Sequence, residues 1–283
     1  MTKTSSLSCC SIVVLCHNRE DRVRETLAFL KDQTFDFGAE VILVDNASTD
    51  KTGSVIEELL VDWPGATLVR CQTNVGIAEG RNIGWRAASR DYIISIDDDI
   101  LISRATIERL IAVAQRMSGF GILSPTILDS KTEFALNGRT DDGLKVITFH
   151  EACFLIHKSM LSVVGYMDEM LTTAGEGLDF SIRLRRKKFQ IIRLFDVVVY
   201  HFDRPRSKSE NKPRRLAWVW SFARVYWKNY SPPVAFFLTA RNFLAHARHG
   251  VLMFEYSYLL LLYEGSVLGA VSGRRSRRKP RLQ

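Results

Sequence analysis

Hydrophobic and polar positions fall into short alternating blocks over the first hundred residues. Ser11–Cys16 (SIVVLC) is a β-branched run of strand length, too short for a helix. From Asp21 to Asp32 the apolar positions Val23, Leu27 and Leu30 recur at helical spacing. Glu40–Asp45 (EVILVD) reads as a second strand and Lys51–Val61 as a helix, with Ser48 or Asp50 placed to cap it. Ala66–Cys71, Ile77–Ser89 and Tyr92–Asp97 continue as strand, helix and strand. Strands alternating with helices of this length predict an α/β fold with a mainly parallel sheet covered on both faces. Such sheets gather ligands at the carboxyl ends of their strands. Asp45 and Asp97 each close a strand, so that rim is expected to be polar.

Beyond Ile100 the pattern loosens. A helix is expected over Arg104–Met117, one or two strands over Leu144–His157, a helix over Glu176–Lys188 and a strand over Gln190–Tyr200. Asp203–Pro213 is charged and flanked by proline, and reads as a loop. From Trp218 the chain turns aromatic and aliphatic, predicting C-terminal apolar helices. Val251–Val271 is nearly apolar but carries Glu255 and Glu264. A charge near the bilayer centre costs about 3 kcal/mol, which favours an interfacial or packed helix over a span. Arg274, Arg275, Arg277, Arg278, Lys279 and Arg281 follow. That run suits an anionic membrane surface, and a solvated tail would also account for it. The organisation read from this is a catalytic domain over 1–215, a helical region over 216–272 and a basic tail over 273–283.

Composition narrows the class. The 283 residues are 46% hydrophobic and 25% charged, enough for a substantial core. The formal charge of +8 admits nucleic acid, an anionic membrane or phosphorylated small molecules as partners. Most of the excess lies beyond Arg183, away from the acidic rim, and no basic strip is interleaved with aromatics there, so no nucleic-acid partner is expected. The five cysteines form no CxxC pair. With no basic and apolar leader in MTKTSSLSCC, they point to reduced thiols and a cytoplasmic catalytic part.

Chemistry concentrates in a few places. Asp97, Asp98 and Asp99 follow a hydrophobic strand, and three adjacent acids repel one another unless a cation compensates. Alternate carboxylates share a side of extended chain and suit Mn²⁺ or Mg²⁺ bridging to phosphate. A helix cap on a solvated turn before Ser103 is the plainer account of the same acids. VDNASTDKT (Val44–Thr52) sets Asp45 at a strand end. NVGIAEGRNIGW (Asn74–Trp85) supplies Gly76, Gly80 and Gly84 around Arg81, with close backbone approach at the glycines and a cation for a diphosphate.

In this order, SIVVLCHNRED, VDNASTDKT, NVGIAEGRNIGW, IDDDI and GEGLDFSIRLRRKKF resemble the family 2 glycosyltransferases, over about Ser11 to Phe202. The resemblance implies the GT-A fold and inverting transfer of a sugar from a nucleotide-diphosphate donor to a glycan or lipid-linked acceptor. Cell-envelope or exopolysaccharide synthesis, peripheral on the cytoplasmic face of the inner membrane, is the setting it suggests. It implies that Asp45 binds the nucleotide base, that His17 and Arg19 line the nucleotide pocket, and that Arg81 lies near base or diphosphate. Asn74, Gly76, Asp97 and Asp98 join the donor-binding set. Asp97, Asp99 and His201 become the ligands of a divalent metal, with Asp99 the main one. Glu176 and Asp179 are the candidate catalytic bases. Gly177 stands where the family usually has a second adjacent acid. That departure leaves a non-catalytic nucleotide-sugar binder as the alternative.

Overall fold

The computed structural model describes residues 6–129, 144–202, 208–252 and 266–273. The chain divides into two compact units, Met1–Glu169 with Phe180–Asp203, and Met170–Asp179 with Arg204–Gln283.

Among the described residues, the first unit is built on a nine-stranded sheet. Its strands are β1 (Cys10–Cys16), β2 (Glu40–Asp45), β3 (Ala66–Arg70), β4 (Tyr92–Asp97), β5 (Ile100–Leu101), β6 (Phe120–Asp129), β7 (Leu144–Lys145), β8 (Cys153–His157) and β9 (Gln190–His201). They run in the order β3-β2-β1-β4-β8-β6-β9-β5, and β7 pairs with β9. The β3-β2-β1-β4 half is parallel; β8 enters antiparallel to β4 and β6, and β5 antiparallel to β9. Register sets Cys16 beside Asp45 and Leu15 beside Asp97, so the ends of β1, β2 and β4 share one rim.

The strands are apolar on both faces because helices cover both. Ile12, Val14, Val41, Leu43 and Ile94 pack toward α1 (Val23–Thr34), α2 (Thr52–Leu60) and α4 (Arg104–Arg116). Val13, Leu15, Ile42, Val44 and Ile93 pack toward α3 (Gly76–Ala87) and α6 (Glu176–Arg186), which deliver Trp85 and Phe180. A Cβ at Gly84 would run into the Val13 side chain, so glycine there lets α3 lie close on β1. Ser103 caps α4 by accepting from the Thr106 amide at 3.2 Å. Asp50, not Ser48, accepts from the Thr52 amide at the start of α2.

The sequence reading of the first hundred residues holds to within a few residues. Leu144–His157 resolves into two strands, β7 and β8. The long β6 and the short α5 (Met160–Val164) had not been anticipated.

In the second unit, α7 (Lys208–Asn229) and α8 (Pro232–Leu252) pack together. The loop expected over Asp203–Pro213 gives way to helix from Lys208, while residues 203–207 lie outside the described set. Lys, Glu and Arg are good helix formers, and the helix carries Pro213 within its first two turns. Trp218, Phe222, Tyr226 and Tyr230 form a ladder along α7 with ring centroids 6.1–6.4 Å apart. A helical segment, 266–273, lies on α7 through Gly269 and Gly273, whose added Cβ atoms would meet the Trp220 and Arg224 carbonyls. No helix among the described residues is long and apolar enough to cross a membrane. Much of Val251–Val271, including Glu255 and Glu264, lies outside them.

Candidate active site

The rim is assembled from loops that turn back on one another. After β1, Asn18 adopts a positive φ of 48° and reverses the chain. The His17 amide then donates to Asp98 Oδ2 at 3.1 Å, and the Arg19 amide to Thr52 Oγ1 at 2.7 Å. Arg19 spans two acids: its Nε is 3.0 Å from Asp98 Oδ1 and its Nη2 2.9 Å from Asp99 Oδ2. Thr26 Oγ1 donates to the Asp98 carbonyl at 2.7 Å. Asp98 thus ties β4 to the β1–α1 connection. Burial pushes its carboxyl up to about 7, although Arg19 pulls the other way.

Asp97 and Asp99 point to different partners. Asp97 Oδ1 accepts from Arg81 Nη2 at 2.6 Å, and the same nitrogen donates to the Glu151 carbonyl at 2.9 Å. Arg81 was expected near a base or diphosphate; it is 1% exposed, lies over the Phe154 ring, and what it neutralises here is Asp97. Asp99, placed by the sequence in a metal site or on a solvated turn, is buried at 4% exposure. The chain turns inward after β4 and Asp99 faces the end of β9, where His201 Nε2 is 3.3 Å from its Oδ1. That Oδ1 is buried and accepts no hydrogen bond from the described residues.

Asp45 at the end of β2 accepts from the Ser48 amide at 3.0 Å, and Gly53 lets α2 approach it, since a Cβ there would stand 2.9 Å from Oδ2. Next to it, Asn46 holds the following loop: Nδ2 donates to Asn74 Oδ1 at 3.1 Å and to the Gly76 carbonyl at 3.3 Å, and Oδ1 accepts from Val75 N at 2.9 Å. Asn74 Nδ2 lies 3.0 Å from His17 Nε2, and Gly76 takes a φ of 82°. His17, Asn46, Asn74 and Gly76 therefore form one polar network beside Asp45. Asn46 was missed; its position directly after a strand-end acid was the available signal. His150 was missed as well. Its ring centroid is 6.1 Å from that of His201, and burial followed by the charge of His201 holds its pKa down.

In the second unit, Gly175 takes a φ of 84° and α6 starts at Glu176, which is 2% exposed. Asp179 is fully buried, with Oδ2 3.0 Å from Lys228 Nζ and Oδ1 accepting from Asn229 Nδ2 at 2.8 Å.

Matched to families, residues 11–161 fit the model described as Glycosyl transferase family 2. The chain belongs to that family. The fold is that of the GT-A glycosyltransferases. Among relatives of this family 2 chain, the uncharacterised glycosyltransferase YfnE of Bacillus subtilis is 36% identical over 94 residues, 33% of this chain and 24% of YfnE. The chain thus spans about a quarter of that relative's length. Among solved structures, the mannosyltransferase PcManGT of Pyrobaculum calidifontis, in complex with GDP-Man and Mn²⁺, aligns with a TM-score of 0.62 at 17% identity. The alignment covers 94% of this chain and 86% of PcManGT. TarS 1–349 of S. aureus with UDP-GlcNAc aligns with a TM-score of 0.63 at 15% identity, over 95% and 90% of the two chains.

Among the described residues, no three His, Cys, Asp or Glu side chains converge on one point as a ready metal cage. Asp97, Asp99 and His201 do not close into the three-ligand site expected of them; Arg81 holds one Asp97 oxygen, and Asp99 with His201 forms a pair. That pair, with its undonated buried oxygen, fits Mn²⁺ or Mg²⁺. Such ions, Mg²⁺ above all, commonly keep only one or two protein carboxylates and take their other ligands from phosphate and water.

Proposed function

We propose that this family 2 protein is an inverting glycosyltransferase that moves a sugar from a nucleotide-diphosphate donor to a glycan or lipid-linked acceptor. The observation that carries the reading is the convergence, at the ends of β1, β2 and β4, of Asp45, the Asn46–Asn74–His17 network and the Asp99–His201 pair. Donors in the structures of its neighbours, GDP-Man and UDP-GlcNAc, support the donor class. Asp45 and the asparagine network would hold the nucleoside. Arg19, bridging Asp98 and Asp99, presets the acidic turn before any ligand arrives. When bound by Asp99 and His201, Mn²⁺ or Mg²⁺ would supply charge stabilisation for the departing diphosphate.

In the transfer itself, the acceptor hydroxyl forms a bond to the anomeric carbon as the bond from that carbon to the diphosphate oxygen breaks. Glu176 takes the hydroxyl proton. One displacement inverts the anomeric configuration. Glu176 is preferred because it opens α6 directly after the Gly175 turn and stands where the resembled family has the first acid of its pair, whereas Asp179 lies within the helix on Lys228 and Asn229. The same engagement, with Gly177 in place of an acid, favours the alternative of a nucleotide-sugar binder without turnover.

The organisation consistent with this is a catalytic part over 1–215, a helical, membrane-associating part over 216–272 and a basic tail over 273–283. The setting is envelope or exopolysaccharide synthesis on the cytoplasmic side of the inner membrane. A thermal-shift screen of nucleotide sugars with and without Mn²⁺ tests the reading. Stabilisation by one nucleotide class that requires Mn²⁺ supports it, and no stabilisation by any nucleotide sugar contradicts it.

A further inference from the structure

The second unit is arranged inside out for a protein in water. On α8 the residues turned toward α7 are small or medium, with Ala235 fully buried and Leu238 beside it. Large apolar residues are turned outward instead: Phe236 is 67% exposed, Phe237 64% and Leu244 65%, with the cation Arg241 exposed among them. Segment 266–273 repeats the pattern. Ser266, Gly269 and Gly273 are buried, the two glycines against α7, while Val267, Leu268 and Val271 face out. A helix on a soluble protein shows the reverse, with its apolar stripe inward. Small residues inward and large apolar residues outward is the pattern of helices surrounded by lipid.

Charge says what covers these faces. Residues 204–283 carry sixteen Lys and Arg against three Asp and Glu. The rest of the chain is net negative, with twenty-three against twenty-eight. Six of the sixteen follow Gly273 directly in sequence, and Gly273 packs on Arg224 and Trp227 of α7. A second copy would bring a like excess of positive charge to the same face, whereas anionic headgroups complement it. We infer that the second unit docks on an anionic bilayer surface, inserting Phe236, Phe237 and Leu244 of α8 and the outer face of 266–273 to interfacial depth, the Lys and Arg excess of its sequence selecting anionic lipid. This deepens the proposed setting at a membrane and rests on it for its purpose, but vesicle binding needs no donor and so tests it separately.

The experiment is co-sedimentation of the full chain with vesicles of phosphatidylcholine alone or mixed with phosphatidylglycerol, at low and high salt. Wild type is expected on the mixed vesicles at low salt. Phe236→Ser with Phe237→Ser should lower the partition coefficient by about tenfold or more. Replacing Arg274, Arg275, Arg277 and Arg278 by Gln should remove the anionic preference, at about fivefold per residue. Val267→Ser with Leu268→Ser provides a second apolar variant, and Val61→Ser, 86% exposed on the first unit, should bind as wild type. Wild type that stays in the supernatant at low salt overturns the inference, as does undiminished binding by both serine pairs. So does a concentration-dependent dimer, abolished by the Phe236 and Phe237 changes, in a protein that ignores vesicles; a second copy would then be the occupant. Failure here with Mn²⁺-dependent donor binding intact leaves the transferase reading standing, and the converse result leaves the membrane surface standing.

Discussion

Arg81→Met removes a charge from the core while keeping much of the side chain's volume. Arg81 is 1% exposed, and its Nη2 lies 2.6 Å from Asp97 Oδ1 and 2.9 Å from the Glu151 carbonyl. Removing one partner of a buried ion pair costs about 3–5 kcal/mol. The Asp97 side chain is 33% exposed, so solvent recovers part of that, and about 2–3 kcal/mol is the expected share. The Glu151 carbonyl loses a donor, worth about 1 kcal/mol. The sum of about 3–4 kcal/mol corresponds to a fall in the unfolding midpoint of roughly 6–16 °C at about 2–4 °C per kcal/mol. Both hydrogen bonds come from one nitrogen, so the single ammonium of Arg81→Lys can serve both acceptors and should lose much less. The assay is thermal unfolding followed by circular dichroism, with Mn²⁺-dependent donor affinity measured beside it; Met should weaken affinity because Asp97 is no longer held. A Met variant that melts within about 1 °C of the parent would refute the reasoning. A Lys variant as damaged as Met would show that shape, and not charge, is what matters.

Glu176→Gln should lose about 10²–10⁴-fold in turnover with donor binding retained, read from kcat and a separate binding titration. Asp179→Asn should instead lower the unfolding midpoint, because the half-buried Lys228 loses the charge of its fully buried partner. Native protein treated with a thiol reagent at mildly alkaline pH should be labelled slowly at Cys9 and Cys71 only, counted by mass spectrometry. Cys10, Cys16 and Cys153 are buried, and burial pushes the Cys10 thiol up to about 12; all five should react after unfolding. Burial alone would raise the Glu40 carboxyl, but hydrogen bonds from Ser11 and from the amide and hydroxyl of Ser89 outweigh it and hold its pKa down. Its stabilisation is therefore present above the unfolded carboxylate value and is lost as pH falls through the lower folded one. Parent and Glu40→Gln should differ in urea midpoint at neutral pH and converge in acid.

The parallel half of the sheet was legible because β-branched runs end in Asp45 and Asp97, and helices of regular spacing separate them. What each acid touches was not legible. Arg19 reaches Asp98 and Asp99 across some eighty positions, after a chain reversal at Asn18, whose φ is positive. Arg81 read as a cation for a ligand, since nothing in its own segment shows that Asp97 turns under it. Arg183, four residues after Asp179 on the same helix, donates to the Val164 and Tyr166 carbonyls, and Asp179 pairs with the distant Lys228 and Asn229 of α7. Charge and prolines at the start of α7 suggest a loop, but its Lys, Glu and Arg residues carry enough helix propensity to keep it helical.

The acidic turn after β4 is expected to serve a metal-dependent sugar transfer. The most direct test is release of nucleoside diphosphate from the nucleotide sugar that stabilises the protein, followed with Mn²⁺ and with chelator, in wild type and in Asp99→Ala. Expected is turnover by wild type that chelator abolishes and Mn²⁺ restores, and no restoration at any Mn²⁺ concentration in Asp99→Ala or in the isosteric Asp99→Asn, with circular dichroism showing which variant stays folded after losing the Arg19 ion pair. Mn²⁺-dependent release by Asp99→Ala at the wild-type rate would contradict it.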